Sequence, residues 1–563
     1  MFQKESLKEL NKKNMLICIP FAIVLSAFFA LSYILMGQYR DHNTLTVLFS
    51  SSTELIKSIL KGIVFTIALS ITFIGLTVFN TAKKDRANDE NIDNESSDIK
   101  DKRNKKKKLA GIIIVAISSI IMIASFTPWL LMNYPGSANP DTELQFKIFL
   151  GDSDWTNWQP VVSTLIMGSL FSIGRSIVDA NFGFFLYNVV QTIVAIVVFN
   201  YLFLTLRKMR LPIAVGFIIL AFYTFWPLFG GYSQWVEKDY LFALFMLWDT
   251  VIIADIIYDK KVSTKNIILL LIVSVLCTFL RNNGVHAILP ALVCLIFTVK
   301  KIDRIKVISI AAAVLLIFEC ATRIVYPALD INKTSISETI GFMFQQTARY
   351  VNTYPNEVTE EEKAVLIQNF QSYDTFNNYD PTINDPVKIY YNHSTPKEYF
   401  TTWFKMFLKH PFIYVDSYLN GSFGYLAPVK TDTGAYIMTQ YPTYMEETMG
   451  LHHTVSRESQ EKLIKRLNGS SDIPILRLLN MPGLYTWLLI GALFVVLSSS
   501  KKKAAIPFIP GLITIAVCTV SPLACAMRYA FGYVICVPFL IAWIFVSPKD
   551  KQNVLEINKI IDI

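Results

Sequence analysis

Residues 109–132 read LAGIIIVAISSIIMIASFTPWLLM, without a single charged side chain. A helix that crosses a bilayer needs about 20 mostly apolar residues, so this stretch is long enough to span a membrane. Comparable runs recur along the 563 residues, of which 53% are hydrophobic and only 17% are charged. This composition excludes a soluble, disordered or fibrous chain and predicts an all-α polytopic membrane protein.

Counting such runs predicts about twelve transmembrane helices. They cover residues 15–36, 58–80, 109–132, 182–204, 211–229, 240–257, 265–281, 284–299, 306–326, 483–499, 504–521 and 527–546. The first run follows a Lys-rich N-terminus but is too long for a signal peptide and lacks an obvious cleavage site, so we expect a span there. The apolar stretch at 161–173 is short and suits a helix at the membrane interface.

The positive charges lie mainly in short connections between apolar runs. Every second connection carries the Lys and Arg excess, which predicts a multi-pass protein of the cell membrane with both termini in the cytoplasm. The net charge of +9 therefore reflects topology and contact with the lipid bilayer, and no nucleic-acid partner is expected. All seven cysteines fall in or beside apolar runs, so we expect no disulfide framework.

This topology divides the chain into six regions. They are an N-terminal helix pair at 1–80, a charged and disordered cytoplasmic loop at 81–108, a membrane core at 109–326 with an outer loop at 133–181, an extracytoplasmic domain at 327–482, the last three spans at 483–546 and a cytoplasmic tail at 547–563. We expect the extracytoplasmic domain to be of mixed structure, with amphipathic stretches near 336–350 and 398–420.

Polar residues are concentrated in the connections that face out. The sequence YPGSANPDTELQ at 134–145 carries Asp141 and Glu143, and its Pro-Gly and Asn-Pro pairs predict an ordered turn beside the membrane. Lys238, Arg281 and Arg528 lie at span ends on the same side. Cations at one depth suit a phosphate ester, and a carboxylate opposite them suits a general base for an acceptor hydroxyl.

Other roles for these residues stay open at this point. Arg and Lys at span ends often anchor a helix at the interface, and Asp141 suits a simple turn. Asp249 lies deep in the sixth predicted span, where it fits hydrogen-bonded packing or a transporter's ion site. Glu319 and Arg323 are spaced for a structural ion pair. The sequence has no HExxH, paired CxxC, Walker or GxSxG motif, so zinc chemistry, ATP-driven transport and serine hydrolysis lack support.

Taken together, these motifs resemble the GT-C superfamily of polytopic membrane glycosyltransferases over about residues 109–546. The resemblance is carried by Tyr134-Pro135-Gly136 with Asp141, Lys238-Asp239, Arg281-Asn282-Asn283-Gly284, Gln345-Gln346-Thr347-Ala348-Arg349, Asp385-Pro386-Val387-Lys388, His410-Pro411 and Arg528-Tyr529. It implies a GT-C-like membrane core preceded by an added helix pair. The first outer loop here has Asp-Thr-Glu instead of the adjacent acidic pair found in several such families.

The resemblance also implies an activity and roles for individual residues. It implies sugar transfer from a polyprenyl-phosphate-linked donor to an extracytoplasmic cell-envelope glycan or lipid, with inversion. Asp141 would be the catalytic base and Glu143 the second choice, and Lys238, Arg281 and Arg528 would bind the donor phosphate. Asp239, Asn283, Gln345, Gln346 and Arg349 would line the substrate site. No cofactor is required, although some members use a divalent metal.

Two alternatives share features with this reading. A transporter or flippase of lipid-linked sugars predicts polar residues along a path through the bilayer and similar halves. The sequence instead concentrates polarity outside and shows no internal repeat. An envelope polysaccharide polymerase or ligase uses the same donor and differs in its acceptor.

Overall fold

A computed structural model describes residues 2–45, 48, 51–87, 97–429, 441, 443–467, 473–498, 502–520 and 523–546. These residues form helices joined by turns, and their only β pairing is four isolated bridges. The protein is therefore a helical membrane protein, as predicted. The predicted cytoplasmic tail at 547–563 lies outside the described residues.

The helices are numbered in chain order. They are α1 (Phe2–His42), α2 (Ser52–Ala87), α3 (Ser97–Met132), α4 (Pro140–Leu150), α5 (Val161–Ile177), α6 (Ala180–Lys208), α7 (Ile213–Phe225), α8 (Pro227–Ser233), α9 (Lys238–Asp259), α10 (Thr264–Leu280), α11 (Gly284–Ile296), α12 (Lys301–Cys320), α13 (Tyr326–Ala328), α14 (Ser337–Thr353), α15 (Glu360–Phe370), α16 (Asp385–Lys388), α17 (Pro396–Lys409), α18 (Pro411–Asn420), α19 (Phe423–Leu426), α20 (Thr443–Glu447), α21 (Arg457–Leu467), α22 (Pro474–Arg477), α23 (Pro482–Ser498), α24 (Ile509–Thr519), α25 (Met527–Val534) and α26 (Val537–Trp543).

Shorter helical turns complete the described fold. A π-helical turn, Ala321–Val325, joins α12 to α13, and 3-10 turns lie at Pro355–Glu357, Tyr373–Asn378, Leu478–Asn480 and Lys502–Phe508.

Seven stretches of the described residues are long and apolar enough to cross a membrane. They are Ile19–His42, Ser52–Thr72, Leu109–Met132, Ala180–Lys208, Lys238–Asp259, Lys301–Ala328 and Lys502–Thr519. The predicted span at 211–229 is instead the pair α7 and α8, bent by 51°. The bend follows from Trp226 and Pro227, since a residue before proline avoids the helical region and Trp226 is extended here.

The four other predicted spans coincide with shorter apolar helices. These are α10, α11, α23 and the segment Met527–Trp543, which α25 and α26 form together. The helix α5, Val161–Ile177, is of the same short apolar kind, and it occupies the stretch predicted to lie at the interface. By length and composition the described chain has seven spanning helices, or eight with the bent pair, fewer than the twelve predicted.

The central helix of the bundle is α9. In its apolar stretch 94% of the residues are buried inside the protein, compared with 22% in α3 and 6% in α2. Because the outward faces of α2 and α3 are exposed and apolar, they are the surfaces that suit lipid. The buried position of α9 matters for function because its first residues, Lys238 and Asp239, carry two of the predicted site side chains.

The segment at 327–482 has a helical core of its own. The cluster is mostly aromatic and includes Phe344, Phe370, Tyr391, Tyr399 and Tyr414. The described part of the segment holds helices and isolated bridges, so the expectation of mixed structure was wrong there. It bridges to the membrane part through Ile383 and Leu523, and the Ala524 amide donates to the Thr382 carbonyl at 2.8 Å.

The predicted disordered loop at 81–108 is a second correction. Helix α2 continues to Ala87 and α3 begins at Ser97, so the structure has helix at 81–87 and at 97–108. Residues 88–96 lie outside the described part of the chain. The sequence in these flanks is charged but lacks proline and glycine, and nothing in it stops a helix that begins in the membrane from continuing.

Candidate active site

The loop after α3 is tied to the loop before α9 by a short parallel bridge. The Ser137 amide donates to the Gln234 carbonyl, and the Val236 amide donates to the Ser137 carbonyl, both at 2.9 Å. Gly136 has φ +139°, and a side chain at this position would meet the Asn188 amide nitrogen at 2.3 Å. Glycine therefore lets the 134–137 turn approach α6 and brings the start of α4 beside the start of α9.

Asn139 and Thr142 fix the first turn of α4. The Asn139 side chain accepts from the Thr142 amide at 2.9 Å and the Thr142 hydroxyl contacts the Asn139 amide at 3.3 Å, which is a capping box. The Thr142 hydroxyl also donates to the Val236 carbonyl at 2.6 Å. Because Asp141 lies between these residues, its carboxylate is held at the rigid end of a short helix.

Asp141 is paired with two cations from other helix ends. Its Oδ2 lies 2.9 Å from Arg528 Nη1 and 3.4 Å from Lys238 Nζ. Gln159, from the loop before α5, donates to Asp141 Oδ1 at 3.1 Å and accepts from Lys238 at 2.7 Å. Asp141, Lys238 and Arg528 are far apart in the sequence, and the structure brings these three predicted site residues into contact.

A second ion pair lies beside the first. Arg281, which ends α10, pairs with the buried Asp239 at 3.1 Å. The Arg281 and Arg528 guanidinium groups lie 5.1 and 4.7 Å from the centre of the Tyr529 ring, and Arg528 donates to the Tyr529 hydroxyl at 2.9 Å. Stacking on an aromatic ring holds both guanidinium planes while leaving donors for a ligand.

The charges of this cluster favour an anion. Lys238, Arg281 and Arg528 face Asp141 and Asp239, which leaves one positive charge in excess. Lys238 and Arg528 also lie in the first turns of α9 and α25, where the backbone N–H groups add positive potential. The side chains of Asp141 and Arg528 are 26% and 24% exposed, so a ligand can reach this ion pair.

The two carboxyl groups nearest the cations have opposite pKa shifts. Burial acts to raise the pKa of Asp141, but Lys238, Arg528 and the Gln159 amide together hold that pKa well below its ordinary value of 3.8. Burial, reinforced by Asp239, raises the pKa of Glu237 to about 8. At pH 7 Asp141 is therefore ionised and Glu237 mainly neutral.

The chain matches one family model over residues 150–556, a family of unknown function called DUF6020. It belongs to the DUF6020 family. No curated protein and no solved structure matches the chain. Within the part that matches DUF6020 lie Lys238, Arg281 and Arg528, whereas Asp141 comes before it.

Other predicted site residues lie around this cluster without joining the Asp141 pair. Glu143 pairs with Lys147 at 2.6 Å on the same helix, and residues two apart on a helix face different directions. Asn283 occupies the N-cap position of α11, two residues after Arg281, without a side-chain capping bond, and its buried side-chain oxygen has no hydrogen-bond donor among the described residues. Asn283 therefore offers a free acceptor at the edge of the site.

The three predicted residues of α14 make contacts within the helical domain of residues 327–482. Gln345 donates to the carbonyls of Asp380 and Ile383, in the loop that bridges to Leu523. Gln346 donates to the Tyr414 carbonyl at 3.2 Å, and Arg349 pairs with Asp416. These contacts are structural, and the link from Gln345 through the 380–383 loop supports the segment that leads into Arg528.

Sequence reasoning missed Gln159, Glu237 and Tyr529. Tyr529 entered only as part of the pair Arg528-Tyr529. The Glu237 side chain accepts from Asn139 at 3.2 Å and is 3% exposed. Glu237 directly precedes a mostly apolar helix, and this position could have marked it, since a carboxyl group there must be buried or paired. Gln159 carries no comparable signal.

The other groups considered in the sequence lie outside this cluster. Among the residues that the structure describes, no three His, Cys, Asp or Glu side chains gather to hold a metal ion. Asp249 accepts from Ser274 at 2.6 Å in the middle of α9, which fits the hydrogen-bonded packing role. Glu319 and Arg323 form the predicted ion pair one turn apart.

Proposed function

We propose that this protein is a glycosyltransferase of the cell membrane. It transfers a sugar from a polyprenyl-phosphate-linked donor, such as an undecaprenyl phosphate sugar, to an extracytoplasmic acceptor in the cell envelope. Candidate acceptors are a wall polysaccharide, a teichoic acid or a glycolipid. The observation that carries the proposal is the partly exposed Asp141 carboxylate held between Lys238 and Arg528 at the ends of three helices.

The residues of this cluster suit each part of an inverting transfer. The acceptor hydroxyl oxygen forms a bond to the anomeric carbon, the bond from that carbon to the phosphate oxygen breaks, and the phosphate leaves with the electron pair. The hydroxyl proton goes to Asp141. Lys238 and Arg528 stabilise the charge that develops on the leaving phosphate, and Arg281 adds a third cation nearby. Because no covalent intermediate forms, the anomeric configuration inverts.

Donor binding would also activate the base. An ion-paired carboxylate with a lowered pKa is a weak proton acceptor, so Asp141 is a poor base while Lys238 and Arg528 both face it. A donor phosphate competes for the same two cations. When it takes them, the pKa of Asp141 rises toward its ordinary value, and the carboxylate becomes a better base only when donor is present.

The position of the cluster supports an outward-facing site. It lies at the end of the bundle where α3 ends and α9 begins, together with the helical domain of residues 327–482. In the proposed topology both termini are cytoplasmic and this end faces out. A transporter or flippase, and a polymerase or ligase using the same donor, are the alternatives that the experiment below separates.

The test is the glycan composition of the envelope in a strain that lacks this protein. The strain is complemented at matched protein level with wild type, Asp141→Asn or Glu143→Gln. We expect wild type and Glu143→Gln to restore a lost sugar and Asp141→Asn to leave it lost, since general-base catalysis contributes about 100- to 10,000-fold. Glu143→Gln is the matched control because it lies on the same helix turn but pairs with Lys147.

Each other result contradicts part of the proposal. Full restoration by Asp141→Asn contradicts the role of Asp141 as base and favours a transporter. Loss of whole polymer chains, with every sugar in its normal ratio, favours the polymerase or ligase. Loss with Glu143→Gln alone assigns the base to Glu143.

A further inference from the structure

A ligand-sized groove lies at the end of the bundle opposite Asp141. It has a volume of about 890 Å³, within the range of about 300–1,000 Å³ typical of small-molecule sites. Helices α3, α6 and α7 form its walls. It is lined by Gly111, Ile112, Val115, Ala116, Leu204, Arg207, Lys208, Leu211 and Ile213.

A polar contact joins two of the helices that line this groove. The Ser118 hydroxyl donates to the Asn200 side chain at 2.5 Å, and the Asn200 amide donates to Ser119 at 3.1 Å. This contact joins α3 to α6 one turn deeper than Leu204. Gly111 keeps the outer part open, because a side chain there would first meet Leu204, at 3.8 Å.

The walls of the groove are exposed and apolar. Ile112 is 58% exposed, Ile213 46% and Leu204 40%. Leu204 and Ile213 lie near the ends of their helices, beside the 207–213 turn, and Ile112 lies near the start of the apolar stretch of α3, Leu109–Met132. A bilayer around these apolar stretches would place the three side chains where acyl chains meet headgroups. An apolar wall at this depth suits a hydrocarbon chain.

The mouth of the groove carries a cation, Arg207, that pairs with none of the described residues. Lys208 is held by Asp255 and Asp259, at 2.6 Å each, on the neighbouring helix α9. The Arg207 guanidinium has no ion pair or hydrogen bond to any residue that the structure describes. In the sequence, Lys105 to Lys108 directly precede Leu109. A free guanidinium above an apolar groove complements a phosphate group that is attached to acyl chains.

We propose that this groove binds an anionic phospholipid from the leaflet at that end of the bundle. Its acyl chain lies between α3, α6 and α7, and its phosphate accepts from Arg207. The lipid would stiffen the contact between α3, which leads directly to the Asp141 loop, and α6. This site is independent of the proposed sugar transfer, and it is tested without any activity.

The experiment measures lipid retained by the purified full-length protein. Wild type, Arg207→Gln and Arg210→Gln are reconstituted in nanodiscs that mix phosphatidylglycerol with phosphatidylcholine, moved to detergent, and analysed by native mass spectrometry. We expect wild type to retain phosphatidylglycerol in preference to phosphatidylcholine. In Arg207→Gln the ratio of the two retained lipids should fall about fivefold, because one cation contributes about 1 kcal/mol. Arg210→Gln is the matched control, because Arg210 is exposed in the same turn and does not line the groove.

A second variant tests the groove itself. Gly111→Leu fills the space beside Leu204 without changing charge, and we expect it to lower retention of both lipids. Ala116→Leu, one turn further along the groove, serves if Gly111→Leu does not fold. Equal losses in Arg207→Gln and Arg210→Gln would show general surface attraction and overturn the proposal. Equal retention of the two lipids by wild type would also overturn it.

Discussion

The ion pair of Asp141 and Arg528 can be measured directly as a coupling energy. The double-mutant cycle comprises wild type, Asp141→Asn, Arg528→Gln and the double variant. Exposed ion pairs contribute up to about 1 kcal/mol, and breaking a fully buried pair costs about 3–5 kcal/mol. The Asp141 and Arg528 side chains are 26% and 24% exposed and lie 2.9 Å apart, so the pair is between these two cases. Each single variant should therefore lower the unfolding free energy by about 2 kcal/mol.

The double variant should cost less than the two single variants together. Once Arg528 has lost its charge, Asp141→Asn removes only the longer contact to Lys238, at 3.4 Å. We therefore expect a coupling of about 1–2 kcal/mol, which is within the range for directly contacting residues. The measurement is unfolding in mixed detergent micelles, followed by the fluorescence of the nine tryptophans.

The control cycle uses Arg349, which is also shielded, with 11% of its side chain exposed, but is paired with Asp416 in the helical domain of residues 327–482. Asp141→Asn and Arg349→Gln should add within about 0.5 kcal/mol, because they share no partner. If Asp141 and Arg528 also add within that margin, the two side chains do not interact, and the reasoning about the candidate site fails.

Three further predictions concern residues around the same site. Gln159→Ala removes hydrogen bonds to both Asp141 and its cation, so sugar transfer in isolated membranes should fall about 10- to 100-fold, and an unchanged rate would contradict this role. The folded state favours the protonated carboxyl group of Glu237, so wild type should lose unfolding free energy relative to Glu237→Gln as the pH rises from about 5 to 8. The loss should be up to about 1.4 kcal/mol per pH unit. If the unfolding temperatures of the two proteins change by the same amount across that range, the raised pKa of Glu237 is contradicted. Gly136→Ala should cost about 1–3 kcal/mol in thermal unfolding, whereas Gly75→Ala, with open space around it, should be nearly neutral.

Sequence reasoning located the apolar helices well but could not decide how many of them span the membrane. The stretch at 109–132 was predicted residue for residue, because a long uncharged run has one stable form in lipid. The run at 211–229 has the same composition but bends by 51° at Trp226 and Pro227. A hydropathy profile does not show such a bend. It also does not show whether a 17-residue helix such as α10 crosses the bilayer or stops within it.

Part of the candidate site could also be predicted from the sequence, and part could not. Lys238, Arg281 and Arg528 could be predicted because each is a cation at the end of an apolar run. The sequence ranked Asp141 before Glu143 by resemblance alone and did not show which partners each carboxylate has. The capping box at Asn139 starts the helix there and turns the two carboxylates in different directions, toward Lys238 and Arg528 for Asp141 and toward Lys147 for Glu143.

By itself, the sequence determined that the chain is a helical membrane protein with its polar groups gathered at span ends, since apolar run length and charge placement are local properties of the chain. Only the tertiary structure decided that Asp141, Gln159, Lys238 and Arg528 meet at one point. These residues come from four separate segments, and their meeting depends on how α4, α9 and α25 pack together. Such packing is set by side-chain fit between distant helices, which no local pattern records.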